Sequence, residues 1–381
     1  MFYTVFSTDD CAYMQWQSEL LEYSWKRVEQ PGQLVRLVAT HNPDHLPEHQ
    51  HARTVATQPW NIHPESGDAY AIYNKPASLL EWLYKDQPEG TVLFVDPDCV
   101  FRRKITQQVV PGSPVSQGWV DHQLTNASKR TPFGLKPEFG FLANHCANVK
   151  IPGDSVMIPT LIHTSDLKKI CARWLELCAV VRDHYRDVND LPAWESDMFA
   201  YVAACAEYNL EHKKMDLGIC TNWDADAMPD SPMIHYCQAI KDINGRTIFN
   251  KHNYKPWTLI DETVEPEFYY GKDLAALINE FTFNLSGAIQ PVSLDASPER
   301  LKGVMEGRVL DDLLLEIPDQ NKSTWLNFSG KSIWDRCDGN ITVNDIAQSI
   351  KDEFEIDLKM AAEQTSMLVG QLKQMGFLKL H

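Results

Sequence analysis

The chain has 381 residues, 44% of them hydrophobic and 23% charged, with 35 Lys and Arg against 52 Asp and Glu for a formal net charge of −17. That is ordinary globular composition, long enough for two or three domains with sizeable cores. The acidic excess excludes a general electrostatic grip on nucleic acid or on an anionic membrane, so neither is expected as a partner.

The opening Met1-Phe2-Tyr3-Thr4-Val5-Phe6 is already strand-like, with no basic n-region and no signal-type apolar core. No run anywhere approaches the 18 or so apolar residues of a membrane span. A cytosolic protein is expected. Residues 2–6 and 35–39 are short apolar runs, and between them residues 13–28 carry Trp16, Leu20 and Trp25 near helical spacing. Asn74-Lys75-Pro76 opens another helix, with Pro near its first position and Leu79, Leu80 and Leu83 behind it. Val92-Leu93-Phe94-Val95 then reads as a buried strand that ends at Asp96-Pro97-Asp98. Strand, helix, strand, helix, strand predicts an α/β fold with a parallel sheet and a ligand site at the strands' carboxyl ends.

Turn-formers gather at residues 131–137, and helices are expected over 164–188 and 195–207. Ser286, Gly287, Pro291 and Pro298 mark a linker, which divides the chain into residues 1–280, a linker at 281–305, and a small unit at 306–381. In that unit residues 308–318 and 323–328 look like strands, and 329–337 is a short helix ended by Asp338-Gly339. Thr342-Val343-Asn344-Asp345 has the form of a capped helix start, followed by Ile346, Ile350 and Phe354 at helical spacing. A last helix carries Leu368, Leu372 and Met375 and stops at Gly376. A strand pair with three helices is the size of a winged-helix domain.

Nine cysteines (11, 99, 146, 171, 178, 205, 220, 237 and 337) are scattered without a Cys-x-x-Cys pair. That pattern suits reduced, partly buried thiols rather than a disulfide framework or a zinc site.

Asp96 and Asp98, converging at a strand end, can share a hard divalent cation, Mn²⁺ or Mg²⁺, which keeps positions open for phosphate oxygens. The bland reading is a solvated turn. Asp224-Ala225-Asp226 has the same spacing but a loop-like context, whereas Asp96 and Asp98 follow a buried-strand signal.

The segment Ile62-His63-Pro64-Glu65-Ser66-Gly67-Asp68-Ala69-Tyr70-Ala71-Ile72-Tyr73-Asn74-Lys75-Pro76 resembles the His-Pro-x-x-Gly-Asp-x-Tyr…Asn-Lys-Pro block of the plant hydroxyproline O-arabinosyltransferase and peptidyl serine α-galactosyltransferase families. Thr4-Val5-Phe6-Ser7-Thr8-Asp9-Asp10-Cys11 with Trp16-Gln17, Trp194-Glu195-Ser196-Asp197-Met198-Phe199-Ala200-Tyr201, and Ile234-His235-Tyr236 resemble further blocks. The resemblance spans most of residues 1–257. It implies a GT-A glycosyltransferase that takes a sugar from a nucleotide diphosphate donor, a UDP-sugar by preference, with retention at the anomeric carbon. On the matching positions Asp96 and Asp98 would hold the metal with His235 as third ligand. Thr8 would lie by the nucleotide, and Asn74 and Lys75 would line the donor site.

The chemistry asks for similar parts. A departing diphosphate develops negative charge that a divalent ion and a lysine stabilise, and Lys75 or Lys251 can supply the latter. Retention needs a carboxylate nucleophile or front-face attack on an oxocarbenium-like centre, and Glu195 and Asp197 are both candidates. Read without the resemblance, His235 is a hydrogen-bonded core histidine, Lys75 a solvated lysine, and the two acids residues favoured near a helix N-terminus. This chain departs from the plant pattern in two ways: those families are membrane-anchored Golgi enzymes and no anchor is found here, and Pro97 replaces the small residue usual between the aspartates. Compartment and acceptor are therefore not carried over.

Trp325-Leu326-Asn327-Phe328-Ser329-Gly330-Lys331-Ser332-Ile333-Trp334-Asp335-Arg336-Cys337-Asp338-Gly339, then Thr342-Val343-Asn344-Asp345-Ile346-Ala347, resembles PqqD. Such winged-helix-like domains recognise the leader of a ribosomally made precursor peptide by adding it as a strand to a sheet edge. The leader is expected along Trp325, Leu326 and Phe328 and against Leu368 and Leu372, with Trp334 in the core. Winged helices also bind DNA, but Asp311, Asp312, Glu316, Asp319, Asp352, Glu353, Glu355 and Asp357 make this one repel phosphate. Together the halves imply a metal-dependent enzyme that glycosylates a Ser- or Thr-type hydroxyl of a captured precursor peptide. The alternatives are a small-molecule or glycan acceptor, with the small domain used for assembly, and a non-enzymatic peptide-binding protein on a decayed transferase scaffold.

Overall fold

The computed structural model describes residues 1–46, 49–118, 141–142, 144–146, 156–186, 194–221, 230–254, 259–261, 264–288, 291–309, 312–318 and 322–381. The expectations for residues 131–137 and for Asp224-Ala225-Asp226 fall outside them. Two compact units emerge, one of residues 1–10, 21–43 and 49–237, the other of residues 11–20, 44–48 and 238–381.

The first unit is built on β1 (Phe2–Asp9), β2 (Gln33–Ala39), β3 (Ala52–Thr57), β4 (Thr91–Phe94), β5 (Cys99–Phe101), β6 (Val115–Gly118), β7 (Val156–His163), β8 (Lys213–Met215), β9 (Ile219–Cys220) and β10 (Met233–His235). Seven strands form one sheet in the order β3-β2-β1-β4-β7-β6-β8. β3, β2, β1 and β4 run parallel, and β7 is antiparallel to β4 and β6. The parallel half is what strands alternating with α1 (Ala12–Arg27) and α2 (Asn74–Lys85) must form, since parallel neighbours need a crossover between them. Because strand side chains alternate, Tyr3, Val5, Val35, Leu37, Val92 and Phe94 enter one core with Leu79 and Trp82 of α2, Trp174 of α3 (Thr164–His184) and Ala203 of α4 (Ser196–Glu207). Phe2, Phe6, Leu34, Leu93 and Leu161 enter the other. Burial on both faces accounts for the near-continuous apolar strands. Gly90, at φ +136°, allows the close approach that starts β1, since a Cβ there would lie 2.0 Å from the carbonyl oxygen of Met1.

The expected α/β class is therefore what this unit adopts, with a sheet that is parallel over β3-β2-β1-β4 and whose fourth strand ends at a carboxylate pair. β3 escaped the sequence reading because Ala-Arg-Thr-Val-Ala-Thr is a sheet-edge strand of mixed polarity. A second sheet, β5-β10-β9, forms beyond the carboxyl end of β4 and pairs His235 with Cys99 on one side and Cys220 on the other.

The second unit contains the hairpin β11 (Ile240–Lys241) and β12 (Thr247–Phe249), then α5 (Tyr270–Ala288) and β13 (Pro298–Arg300). There follow β14 (Met305–Val309), β15 (Asp312–Ile317), β16 (Lys322–Leu326), α6 (Phe328–Asp335), α7 (Val343–Phe354), α8 (Leu358–Met375) and β17 (Leu378–Leu380). The expected strand over 308–318 is divided: β14 and β15 pair antiparallel with Val309 opposite Asp312, and β16 completes a three-stranded sheet. Both helix boundaries read from the sequence hold. Thr342 and Asp345 form a reciprocal capping box, and Gly376 ends α8 in the left-handed region at φ 84°.

Residues 281–305, expected as a linker, carry regular structure at both ends. α5 runs to Ala288, and β13 pairs with β17. Between them Ser366 Oγ donates to the Val292 carbonyl at 2.7 Å, and the Asn344 and Val343 amides donate to Leu294 and Ala296, so the segment is bound to α7 and α8. Turn-formers here shape a packed strap, and periodicity alone does not reveal packing of that kind. No helix among the described residues is long and apolar enough to cross a membrane. All nine cysteines are free thiols.

Candidate active site at the carboxyl end of the parallel sheet

β4 ends just short of Asp96-Pro97-Asp98. The Val95 amide still donates to Val5 of β1, and the Cys99 amide then turns back to the Asp96 carbonyl, so both carboxylates project at the sheet's end before the chain enters β5. Tyr236 donates its amide to the Asp98 carbonyl, which fastens the end of β10 to this turn. The result brings together three residues separated by up to 139 positions. His235 Nε2 lies 3.1 Å from Asp98 Oδ1 and 3.8 Å from Asp96 Oδ2.

Asp98 and His235 are buried, at 5% and 8% exposure. Burial works against a charged imidazole, yet the Asp98 carboxylate, with Cys237 and Asp96, outweighs it and pushes His235 up to about 9. Two carboxylates that flank one imidazole at a strand end offer the oxygen and nitrogen donors that a divalent cation with open positions takes.

Lys75, in the first turn of α2, reaches the same point from the other side. Its Nζ lies 2.9 Å from Asp96 Oδ1 and 2.9 Å from Asp197 Oδ2. Burial opposes its charge, but Asp197 and Asp96 hold its pKa above the ordinary lysine range. Asp197 sits in the first turn of α4, where a helix N-terminus favours a carboxylate. It is held by more than Lys75: the Tyr70 hydroxyl lies 3.3 Å from Asp197 Oδ1 and 2.6 Å from the Trp194 carbonyl, and Trp174 Nε1 donates to the Asp197 carbonyl at 2.7 Å. Glu195 is buried one residue before α4, and its carbonyl accepts the amides of Met198 and Phe199. Of the two acids left open by the sequence, Asp197 is the one that Lys75 bridges to Asp96.

Two other expected donor-site residues are tied into the sheet and its loops by side-chain hydrogen bonds. The Asn74 amide donates to Asp9 Oδ1 at 2.6 Å, and its carbonyl oxygen accepts the Trp60 amide. Thr8 is buried, its hydroxyl donating to the Leu37 carbonyl at 3.3 Å. Lys251 belongs to the second unit.

Sequence reasoning missed Asp68 and Arg182. Arg182 Nε and Nη2 donate to Asp68 Oδ2 and Oδ1 at 2.9 and 3.0 Å, and the Tyr73 hydroxyl donates to Oδ2 at 3.0 Å. The guanidinium also lies 4.6 Å from the centre of the Tyr70 ring. The Gly-Asp-x-Tyr part of the block is therefore a clamp that sets the loop before α2, and hence Lys75. Trp194 is 62% exposed and edge-on to Tyr70.

In the second unit Leu326, Leu368 and Leu372 are core residues, packed with Trp334, Ile346 and Phe377. Their side chains are not available to a leader peptide, a correction to the expectation. Apolar residues at helical spacing on a small domain's last helix are claimed first by its own core. Phe328 differs: it is 59% exposed and meets Phe354 edge to face. The Trp325 side chain lies outside the described structure, while its backbone pairs with Leu314 in β16, at the edge of the three-stranded sheet.

Similarity to known proteins follows the same division. The peptidyl serine alpha-galactosyltransferase of Chlamydomonas reinhardtii is 25% identical over 304 residues, which cover 68% of this chain and 38% of that protein. Hydroxyproline O-arabinosyltransferase NOD3 of Pisum sativum is 22% identical over 259 residues, covering 66% of this chain and 73% of the relative. The chain thus spans well under half the length of the first. Among solved structures, galactosyltransferase LgtC in complex with donor and acceptor sugar analogues has a TM-score of 0.43 and 14% identity, covering 73% of this chain and 95% of that one. The model of coenzyme PQQ synthesis protein D (PqqD) matches residues 314–378, as the C-terminal motifs implied. The model of the hydroxyproline O-arabinosyltransferase family N-terminal domain matches residues 2–215, more than half of the chain, and the chain belongs to that family.

Proposed function

We propose that this protein is a metal-dependent, retaining glycosyltransferase that moves a sugar from a nucleotide diphosphate donor, a UDP-sugar by preference, to a Ser- or Thr-type hydroxyl of a ribosomally made precursor peptide. The observation that carries the reading is that His235 lies beside both Asp96 and Asp98 at the end of β4, with Lys75 linking Asp96 to Asp197. Family membership and the peptidyl serine galactosyltransferase among its relatives support the acceptor class.

Asp96, Asp98 and His235 would hold Mn²⁺ or Mg²⁺, and the bound cation would supply charge stabilisation to the leaving diphosphate. Lys75 adds a fixed positive charge at the same place, already oriented by two carboxylates, so no reorganisation is needed as charge develops. Asp197, held by Lys75 and Tyr70, would be the carboxylate that meets positive charge at the anomeric carbon. Trp194, exposed beside Tyr70, offers a flat apolar face to the acceptor.

The PqqD-like domain would bind the leader along the β16 edge with Phe328 as an anchor, since an edge gives sequence-tolerant main-chain bonds and an exposed aromatic gives selectivity. A tethered core peptide is presented at raised effective concentration, so its own affinity for the catalytic site need not be high. The test is mass spectrometry of a leader-bearing precursor incubated with a panel of UDP- and GDP-sugars. The reading expects a hexose or pentose mass increment that requires the leader. Transfer to a leaderless small acceptor at an equal rate would favour a small-molecule or glycan substrate instead.

A further inference from the structure

The spacing of the cysteines suggests inert thiols, but the fold gathers three of them around one histidine. β9 and β10 run parallel with Cys220 directly opposite His235, and Cys237 follows two residues after His235, just past the end of β10. Cys220 Sγ lies 3.6 Å from His235 Nδ1, and the ligand atoms of Cys220, His235 and Cys237 all fall within 4.8 Å of one another. Cys99, paired with His235 across β5 and β10, forms a second such set with His235 and Asp98.

We infer that Cys220, Cys237 and His235 Nδ1 form a binding site for a thiophilic divalent cation such as Zn²⁺, on the opposite edge of the imidazole from the carboxylate pair. Zinc takes sulfur at about 2.3 Å and nitrogen at about 2.0–2.1 Å, which makes the edge of a tetrahedral site roughly 3.5–3.8 Å. The Cys220–His235 separation already matches that edge. The charge also balances. The two thiols and His235 Nδ1 give up their protons to solvent as they bind, so the dication, two thiolates and a neutral imidazole form a neutral group, as a buried site requires.

The two edges of His235 serve opposite partners. A neutral ring that ligates at Nδ1 keeps its proton on Nε2, aimed at Asp98 3.1 Å away, and then offers no lone pair to a hard cation. If Asp96, Asp98 and His235 form the hard-cation site of the preceding section, on which this consequence rests, a thiophilic cation antagonises it.

The test uses the full chain, stripped of metal under reducing conditions and titrated with Cd²⁺, whose thiolate complexes absorb in the ultraviolet. A saturable band at one equivalent is expected, displaced by Zn²⁺, at least about tenfold weaker in binding for Cys220→Ser and for Cys237→Ser, and retained in Asp98→Asn and in Cys178→Ser. Circular dichroism checks that each variant is folded. Absence of a saturable band, or a band that survives the Cys220→Ser/Cys237→Ser double substitution, overturns the site. A band that behaves as expected while Zn²⁺ leaves Mn²⁺ affinity unchanged supports the thiolate site and removes His235 from the hard-cation set.

Discussion

Lys75 and Asp197, 122 residues apart in the chain, meet at 2.9 Å between Nζ and Oδ2. The same ammonium lies 2.9 Å from Asp96, so one cation ties the end of β4 to the start of α4. This pair turns a sheet-end carboxylate into part of a continuous charged array, in which each member sets the position of the next.

Lys75→Met removes the cation that the buried Asp197 and the half-buried Asp96 carboxylates share. Donor turnover should fall by about 10²–10³ in kcat, the usual effect of losing one preorganised electrostatic partner. Steady-state kinetics with circular dichroism checks this. An unchanged kcat in a folded variant would remove Lys75 from the chemistry.

Asp68→Asn breaks the bidentate pair with Arg182 while keeping the side chain's shape. After allowance for partial exposure the cost is about 1 kcal/mol, read as a melting temperature lower by a few degrees. The Arg182 hydrogen bonds hold the Asp68 carboxyl below its ordinary range. A depressed native pKa stabilises the protein fully above the unfolded value of about 3.9, and that contribution is lost as the pH falls through the native value. The difference in melting temperature between wild type and Asp68→Asn should therefore be constant from pH 6 upward and shrink below about pH 4.

Phe328→Ala and Leu372→Ala separate binding from packing in the small domain. Leu372 is buried among Trp334, Ile346 and Phe377, so its truncation should cost about 2–5 kcal/mol. Phe328 is exposed, and its loss should leave stability within about 0.5 kcal/mol while weakening leader-peptide binding at least about tenfold. Thermal unfolding and isothermal titration against the leader measure the two effects separately.

Trp194→Ala should raise KM for the acceptor by about three- to tenfold and leave kcat for donor hydrolysis nearly unchanged, because its exposed face contributes binding and not charge. A fall in kcat alone would place the Trp194 ring in support of Asp197 through its edge contact with Tyr70.

Much of this arrangement was legible in the sequence. Asp96 and Asp98 stood out because an apolar strand ends at them, and a strand in a βαβ pattern has a predictable ligand end. The capping box at Thr342 and the stop at Gly376 were local chemistry and needed no tertiary context. What was hidden depends on long-range pairing. The pairing of Asp68 required Arg182, more than a hundred residues away, and the contact that sets Asp197 apart from Glu195 required Lys75. The cluster of Cys220, His235 and Cys237 has no sequence signature because its ligands are brought together by strand register. Leu326, Leu368 and Leu372 have the periodicity of either a docking face or a core, and only burial separates the two.

The most direct test of the central claim is donor turnover as a function of Mn²⁺ concentration in wild type, Asp98→Ala and Asp98→Asn. The account predicts saturable, chelator-sensitive turnover of one nucleotide sugar by wild type and its loss by at least about 10²-fold in both folded variants. Turnover that persists in chelator and is indifferent to Asp98 would contradict it.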